Sequence, residues 1–419
     1  MDPTLSIWRN REFMKLWSAE TISQLGTQVT ALALPLAAIY VLQASVFEVS
    51  LLTAAEFAPF LIVGLPAGVW VDRMSRRRVL IAGDLGRAVL LGSIPLAAAF
   101  HILSMPQLYL VAFLAGICTV FFDVAYMSYL PSLVHRDQLI DGNAKLEISR
   151  SLAYLAGPAL AGVLVEIITA PFAILVDAVS YLGSALFIGR IRAVEPQVED
   201  HASGKATMRR QIGEGLRYVV GHPLLRPIAA CTSISNLFFT MTFALLVVFG
   251  VRNLGMSSAQ IGIAFSLGTV GALLGAFLAQ RVPGWIGLGW AIIAPMLVFS
   301  VVDFGWPLAT PATAIPVFAG VGFVGGMAGV IYNVNQVGLR QAITPGRMLG
   351  RMNATMRFIV WGTMPIGALV GGLLARNIGI RPTLWIAAIG NAFAVLPPLL
   401  SPVRRLRDVP DAPAEEPSL

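Results

Sequence analysis

The sequence predicts an all-α membrane protein in which twelve transmembrane helices form two pseudo-symmetric six-helix bundles. Three observations support this prediction: the chain is very apolar, its apolar residues fall into twelve long runs, and its two halves resemble each other. Of the 419 residues, 57% are hydrophobic and only 12% are charged, with a mean hydropathy of +0.77. Soluble globular domains carry about 25% charged residues, so the composition excludes a soluble fold.

Each apolar run is long enough to cross a bilayer as a helix. A hydrocarbon core of roughly 30 Å requires about 20 apolar residues in helical conformation. The twelve predicted spans cover residues 12 to 42, 47 to 71, 78 to 100, 105 to 131, 143 to 170, 171 to 191, 223 to 251, 257 to 283, 285 to 306, 310 to 340, 351 to 376 and 380 to 401.

Two pairs of similar segments indicate an internal duplication. "GLPAGVWVD" from Gly64 aligns with "GALLGAFLA" from Gly271, an offset of 207 residues. "NAKLEISRSLAYLAGPALAG" from Asn143 aligns with "NATMRFIVWGTMPIGALVGG" from Asn353, an offset of 210. Nearly equal offsets in separate regions are typical of tandem six-helix repeats, which share one orientation in the membrane because six is even.

The duplication defines the predicted domains. An N-terminal six-helix bundle covers residues 1–191, a linker covers 192–222, a second bundle covers 223–401, and a tail covers 402–419. In the linker, the apolar residues of "MRRQIGEGLRYVVGHPLLR" recur near helical spacing. They predict an amphipathic helix on the membrane surface, although a solvated linker remains an alternative.

The basic residues predict the topology. The formal net charge is +7, but the lysines and arginines lie almost entirely in loops on one side of the predicted membrane. Arg252, Arg376 and Arg381 fall on the other side. This positive-inside asymmetry predicts a multi-pass protein of the cytoplasmic membrane with both termini in the cytoplasm. The basicity therefore indicates topology and contact with anionic lipids rather than nucleic-acid binding.

Other function classes lack their motifs. The four histidines, at positions 101, 135, 201 and 222, are dispersed and form no metal-ligand cluster. The sequence contains no Gly-x-x-x-x-Gly-Lys-Ser/Thr loop for ATP. We therefore expect no metal, no cofactor and no enzymatic activity.

The loop "GVWVDRMSRRRVL", Gly68 to Leu80, resembles the signature loop of the major facilitator superfamily between its second and third helices. In that family the loop holds the cytoplasmic ends of the two halves together. The resemblance implies that Asp72 faces the N-terminus of helix eleven near Gly350 to Asn353, and that Arg73 pairs with a carboxylate. The charges would then form a latch. The alternative is that the basic residues only enforce topology.

Further segments are similar to the drug and siderophore exporters of this superfamily, which include macrolide-efflux and enterobactin-export proteins. They are "ETISQLGTQVT", "AAEFAPFLIVGLPAGVWVDR", "DLGRA", "FFDVAYMSYLPSLV", "EGLRY" and "YNVNQVGLRQAITP". Two departures concern coupling. The helix-four arginine of many proton-driven exporters is replaced by Ala112, and Ala144 and Ala153 replace glycines of the helix-five antiporter motif.

Charged residues inside predicted spans are functional candidates because an ionised group in hydrocarbon is costly. Asp84 with Arg87, and Glu147 with Arg150, are spaced three residues apart, so partners on one helix can neutralise each other. We assign both pairs to the cytoplasmic charge network. The predicted gating residues are Gly68, Asp72, Arg73, Arg76, Arg77, Asp84, Arg87, Glu147 and Arg150.

Glu20, Asp123, Glu56 and Asp177 have no basic residue within four positions. An isolated carboxylate in an apolar span suits a group that binds and releases a proton. The resemblance places helices one, four, seven and ten around the central cavity, so Glu20 and Asp123 are the leading candidates. A structural hydrogen bond to a neighbouring helix is the alternative for each.

The remaining candidates concern the cavity and helix bending. Asn236, Asn333 and Asn335 are uncharged polar groups near several phenylalanines, which suits large amphiphilic substrates better than sugars or phosphate. Helices five and eleven carry kink and small-residue motifs that the resemblance links to rocking of the halves, with small-residue packing as the alternative. These residues are Gly157, Pro158, Gly162, Pro365, Gly367, Gly371 and Gly372.

Together these features predict a monomeric secondary transporter that exports amphiphilic, drug-like molecules in exchange for protons. Its partners are the small-molecule substrate, protons and membrane lipids. The alternatives are a proton-coupled uptake symporter and a membrane protein without transport activity, such as a sensor or a scramblase.

Overall fold

The computed structural model describes residues 7–71, 74–135, 138–192 and 208–410. Within these ranges the regular structure is entirely helical, as the apolar runs predict. Asp72 and Arg73, the residues predicted to form the latch, lie outside the described residues.

Seven helices precede the linker. They are α1 Arg11–Tyr40, α2 Val46–Ile62, α3 Gly64–Val71, α4 Arg76–Ala99, α5 Met105–Leu133, α6 Leu139–Ile168 and α7 Ala170–Gly189. The side chains of Asn10 and Ser45 cap the N-termini of α1 and α2 by accepting hydrogen bonds from backbone N–H groups of the first turn. Ser45 also forms a reciprocal capping box with Glu48. The sequence thus sets these two helix starts through local side-chain chemistry.

The remaining helices start with the linker helix and alternate long spans with short connecting turns. They are α8 Met208–Gly221, α9 Leu225–Val248, α10 Ser258–Ala279, α11 Val282–Ile286, α12 Leu288–Val302, α13 Gly305–Leu308, α14 Ala314–Ala342, α15 Gly346–Ile378, α16 Ile380–Ala392 and α17 Leu396–Leu399. A π-helical turn, Phe249–Asn253, continues α9.

Eleven helical segments among the described residues are long and apolar enough to cross a membrane. The second predicted span is divided into α2 and α3, which are separated by a break at Val63. Proline has no backbone N–H, so Pro66 cannot donate to the carbonyl four residues earlier, and Pro59 weakens the preceding turn in the same way. With this pair counted as one crossing, the helices supply the twelve predicted spans.

The duplication is visible in the backbone as well as in the sequence. Thr169, between α6 and α7, has φ 69° and ψ 159°. Gly379, between α15 and α16, has φ 90° and ψ 162°. These residues are related by the offset of 210 that the aligned asparagines give. The same turn therefore occurs in both repeats, although only the second repeat carries the glycine that this backbone region favours.

Contacts between residues divide the chain into two compact units. Unit 1 comprises Met1–His201 together with Val247–Ser266, and unit 2 comprises Ala202–Leu246 together with Leu267–Leu419. We call Val247–Ser266 the outer segment. It includes the π-helical turn and the first residues of α10, and it packs with the helices of unit 1.

Unit 2 contains a glycine-lined contact between α10 and α14. A Cβ added at Gly271 would overlap the carbonyl group of Phe323 and lie 2.7 Å from its Cα, and one at Gly275 would lie 2.6 Å from the Met327 carbonyl oxygen. The helix backbones therefore approach each other directly, as small residues permit in membrane proteins. Gly64 and Gly68, which align with these glycines, have no such neighbour within 4 Å.

Candidate functional site

A buried ion pair lies within unit 1. Asp84 and Arg87 occupy the same face of α4, one turn apart, and their side chains meet with an Oδ1–Nη2 distance of 2.6 Å. Asp84 is completely buried and Arg87 is 5% exposed. The sequence predicted that these two residues can pair within their span, and the structure shows the pair buried.

Two aromatic rings enclose the guanidinium of Arg87. Its Cζ lies 4.3 Å from the ring centre of Phe122 on α5 and 4.1 Å from that of Tyr181 on α7. The faces of aromatic rings attract cations, most strongly where water is excluded. The Tyr181 hydroxyl is in turn 2.7 Å from the Thr27 hydroxyl on α1. Four helices therefore contribute to the position of one arginine.

Two further carboxyl groups are buried beside this pair. Glu20 on α1 is 6% exposed and accepts a hydrogen bond of 2.6 Å from Gln24. Asp177 on α7 is 1% exposed and accepts hydrogen bonds from Thr30, at 2.5 Å, and from Ser180, at 3.0 Å. Asp177 is therefore bonded to a neighbouring helix through Thr30, which is the alternative that the sequence left open, whereas the bond of Glu20 stays within α1.

Asp123 on α5 completes the set of acidic groups in this region. It is half-buried, and it lies close enough to Glu20 and Arg87 for their charges to interact. Unit 1 therefore brings three of the four predicted proton candidates, Glu20, Asp123 and Asp177, to one arginine. We call Glu20, Asp84, Arg87, Asp123 and Asp177 the buried charge cluster.

Glu56 does not share the environment of the other predicted proton candidates. Its side chain on α2 is exposed on the protein surface, although its backbone is closely packed. A Cβ added at Gly116 of α5 would lie 2.8 Å from the Glu56 carbonyl oxygen. The structure thus shows a helix contact at this residue and no contact with the buried charge cluster.

Arg77, near the start of α4, contacts the end of α7. Arg77 donates to the carbonyl oxygens of Ile188, at 3.2 Å, and of Gly189. These carbonyls end α7, where the helix dipole favours a cation.

Glu147 and Arg150 form a looser pair of 3.4 Å on α6, with side chains 61% and 52% exposed. Exposed pairs of this kind contribute little stability.

Polar contacts hold the outer segment within unit 1. Arg252 donates to the Ala44 carbonyl oxygen at 2.6 Å. Glu166 of α6 accepts the Ala259 backbone N–H at 3.1 Å, where α10 begins. A carboxylate at a helix N-terminus satisfies free N–H groups and complements the dipole. Beside these contacts is a cleft of about 470 Å³ lined by Tyr40, Val41, Val165, Glu166, Thr169, Ala170, Ser257 and Ser258.

Glycines of α6 and α15 mediate backbone contacts. A Cβ at Gly162 would overlap the Ser258 carbonyl oxygen, and one at Gly262 of α10 would lie 3.2 Å from the Gly162 Cα. In unit 2, a Cβ at Gly371 would lie 2.8 Å from the Met241 side chain, and one at Gly367 would overlap the Leu237 carbonyl. The predicted motifs therefore include close packing positions on both helices.

The predicted polar residues of unit 2 mostly bond to the backbone of neighbouring helices. Asn236 donates to the Val360 carbonyl oxygen at 3.2 Å, and Asn335 donates to that of Ala279 at 3.0 Å. Asn333 is exposed and accepts a hydrogen bond from Gln336 at 3.0 Å. Of the three asparagines, Asn333 retains an exposed side chain that a substrate could reach.

Several partners in these arrangements were not predicted from the sequence. Tyr181 follows Asp177 by one helical turn, so it could have been predicted to share the face of α7 that carries this carboxylate. Phe122 precedes Asp123 and gave no comparable signal. In unit 2, Asp303 accepts a hydrogen bond of 2.6 Å from Asn391, and both residues are buried. That pairing joins two spans that are distant in sequence.

The linker helix α8 docks on the start of α15. Glu214 binds Arg210 of its own helix at 2.9 Å and Arg351 of α15 at 2.7 Å. The hydrogen bond from Arg210, reinforced by the charge of Arg351, lowers the pKa of the Glu214 carboxyl. At the end of α8, burial lowers the pKa of His222. Leu216 and Val220 remain exposed, as expected for an amphipathic helix at a membrane surface.

No group of three or more metal-ligating side chains occurs among the described residues. The buried charge cluster places four carboxyl groups around one arginine. Its chemistry therefore suits proton exchange and ion pairing.

Comparison with known proteins places the whole chain in one family. The sequence profile named transmembrane secretion effector matches residues 3–418. The chain is 28% identical to the multidrug efflux pump Tap of Mycolicibacterium fortuitum over 369 residues, which cover 85% of this chain and 88% of that protein. It is 22% identical to macrolide efflux protein A of Streptococcus pyogenes over 417 residues, with coverages of 94% and 97%.

Solved structures share the fold. A point mutant of the nucleoside transporter NupG superimposes with a TM-score of 0.75 at 12% identity. A bacterial homologue of the iron transporter ferroportin, in an inward-facing state, gives a TM-score of 0.74 at 15% identity. Each comparison covers 94% of this chain and 99% of the other. At these identities the likeness shows the fold alone.

Proposed function

We propose that the chain, which belongs to the transmembrane secretion effector family of the major facilitator superfamily, exports amphiphilic small molecules by proton antiport with alternating access. Membership of this family makes it a membrane transporter. The observation that supports this proposal most directly is the buried charge cluster of unit 1. Carboxyl groups without water are costly to ionise. In a proton-coupled transporter, such groups bind protons when they face one side of the membrane and release them when they face the other.

The substrate class follows from the exposed aromatic side chains of unit 2 and from the relatives. Phe239 and Phe243 on α9 are each 41% exposed, and their rings stack with centres 5.8 Å apart. Flat apolar faces with few directed polar groups suit drug-like molecules of varied structure. The relatives named as multidrug and macrolide efflux proteins support the same class, so we propose that macrolides and lipophilic cationic dyes are transported.

Orientation is part of the proposal. The positive-inside asymmetry supports a cytoplasmic location of both termini in the inner membrane of the cell. The latch at Asp72 and Arg73 stays a prediction from the family resemblance. Replacing Asp72 with asparagine should then slow transport without loss of substrate binding.

The test uses protein reconstituted in sealed liposomes with an imposed pH gradient and a macrolide or a cationic dye as the probe. In the wild type, we expect the probe to move in the direction opposite to the protons. We expect the part of the probe flux that depends on the pH gradient to be abolished by Glu20→Gln, Asp123→Asn or Asp177→Asn. Asp141→Asn, which changes an exposed carboxylate of α6, serves as the control and should retain it.

Each other outcome points to a different function. Probe movement in the same direction as the protons would replace antiport with symport. Saturable probe binding without movement would favour a sensor, and movement of labelled lipid would favour a scramblase. Gradient-driven export that survives all three carboxylate substitutions would contradict the proposed proton site.

A further inference from the structure

Arg87 faces more acidic groups than it can neutralise. It is the one buried cationic side chain among the residues that the structure describes. The titratable groups whose charges interact with its guanidinium come from all four helices around it. They are Asp84 on its own helix, Glu20 on α1, Cys118 and Asp123 on α5, and Asp177 and Tyr181 on α7.

We propose that Arg87 is the positioning residue for proton coupling: it is a single counter-ion for which the carboxylates of the buried charge cluster compete. The carboxylate that pairs with Arg87 is ionised, and the others hold protons. The inference rests on the proposed proton antiport and assigns a regulator to that site. It also moves Asp84 and Arg87 from the cytoplasmic network, where the sequence placed them, to the coupling step.

Burial determines which of these acidic groups can carry a charge. An unpaired carboxylate in a water-free interior is strongly destabilised, so it takes up a proton or finds a cation. One guanidinium offsets one negative charge. Asp84 holds that charge here, at 2.6 Å from Arg87, which leaves Glu20 and Asp177 as neutral, hydrogen-bonding acids. Asp123, which is half-buried, is the most exposed acid of the cluster.

The geometry permits an exchange of partners. The rings of Phe122 and Tyr181 both lie against the guanidinium, 4.3 and 4.1 Å from its Cζ, and its N–H groups are the part that binds carboxylates. Arg87 Nε and Glu20 Oε2 are both buried, and neither has a hydrogen-bond partner among the described residues. Asp84 Oδ2 is likewise buried without a partner among these residues, so the cluster holds one unused donor and two unused acceptor oxygens. When the Glu20 O–H bond breaks and the proton leaves to water, the new carboxylate can compete with Asp84 for the arginine.

The first experiment separates coupling from permeation. Liposomes carrying wild type, Arg87→Lys or Arg87→Gln are assayed twice with the cationic dye, once driven by a pH gradient and once by the dye gradient alone. We expect Arg87→Gln to lose the pH-driven flux and keep the downhill flux, with partial pH-driven flux in Arg87→Lys. Arg357→Gln, which removes another ring-stacked arginine, should leave both fluxes unchanged. Wild-type pH-driven flux in Arg87→Gln would overturn the proposal.

The second experiment needs no substrate and follows the unfolding temperature of the purified protein between pH 5 and pH 8. Without Arg87, Asp84 must hold a proton when folded, whereas it is ionised when unfolded. The free energy of unfolding of Arg87→Gln should therefore fall more steeply with rising pH than that of the wild type. The difference between the two slopes should correspond to about one proton released on unfolding. The double variant Asp84→Asn with Arg87→Gln should remove the additional slope and restore folding if the single variant folds poorly.

The two experiments fail differently. If the wild type shows no pH-driven flux with any probe, proton antiport is wrong, while the melting series still decides whether Arg87 is the counter-ion. If Arg87→Gln and the wild type melt with the same pH dependence, the counter-ion role is wrong whatever the flux shows. A merely structural arginine would lower stability equally at every pH and reduce both fluxes together.

Discussion

Replacing Gly162 with alanine tests whether the outer segment is held in unit 1 by direct backbone contact. In the structure, a Cβ at Gly162 would overlap the Ser258 carbonyl oxygen and lie 2.9 Å from the Ala259 Cα. Non-bonded carbon atoms are at their optimal separation at about 3.5 to 4.0 Å. The obstacles are backbone atoms, which cannot rotate away as a flexible side chain can. The methyl group therefore requires α6 and α10 to separate.

The magnitude follows from the cost of overpacking. Adding a methyl group to a tightly packed contact costs about 1 to 3 kcal/mol. We take a cost of about 2 kcal/mol that acts only on the conformer in which the outer segment is docked. Because 1.4 kcal/mol is a factor of ten, this cost lowers the population of the docked conformer relative to an undocked one by roughly thirtyfold. We therefore expect Gly162→Ala to favour opening at this end of unit 1.

A reporter thiol at position 258 measures this opening. Ser258 is 3% exposed, so Ser258→Cys, in a background with Cys118→Ser and Cys231→Ser, should react slowly with a water-soluble maleimide. Adding Gly162→Ala should accelerate the reaction. The control is Gly183→Ala on α7, where a Cβ would meet nothing within 4 Å. Equal labelling rates in the two glycine variants, with both proteins folded, would refute the backbone-contact argument.

Three other predictions concern stability. Thr169→Gly should raise the unfolding temperature, because the native residue has φ 69°, a region that costs about 1 kcal/mol or more for a β-branched side chain. Gly271→Ala should lower the unfolding temperature by about 4 to 8 °C for a net loss of roughly 2 kcal/mol. Gly329→Ala, with open space around its Cβ, should not lower it. The pKa of Glu214 is lowered by Arg210, so its contribution to docking of α8 is present near pH 7 and lost as pH falls through the folded pKa. Limited proteolysis of the linker should increase on acidification in the wild type, and Glu214→Gln should be cleaved readily already at pH 7.

The sequence by itself determined the spans, the duplication and the charge asymmetry of the loops. Each of these depends on residues that are close in the chain, because a transmembrane helix needs only an uninterrupted apolar run. It also determined the pairing of Asp84 with Arg87, since residues three apart share a helix face. The sequence also contains Pro59 and Pro66, but the break at Val63 was not predicted from them.

Only the tertiary structure decided what surrounds those residues. Phe122 and Tyr181 come from two other helices to enclose Arg87, and the helix packing places Glu20 near enough for its charge to interact with the guanidinium. Hydrophobic periodicity shows that a residue lies in a span, but it does not show which neighbour its face meets. For that reason the sequence ranked isolated carboxylates one by one, whereas the fold joined most of them into a cluster around one arginine.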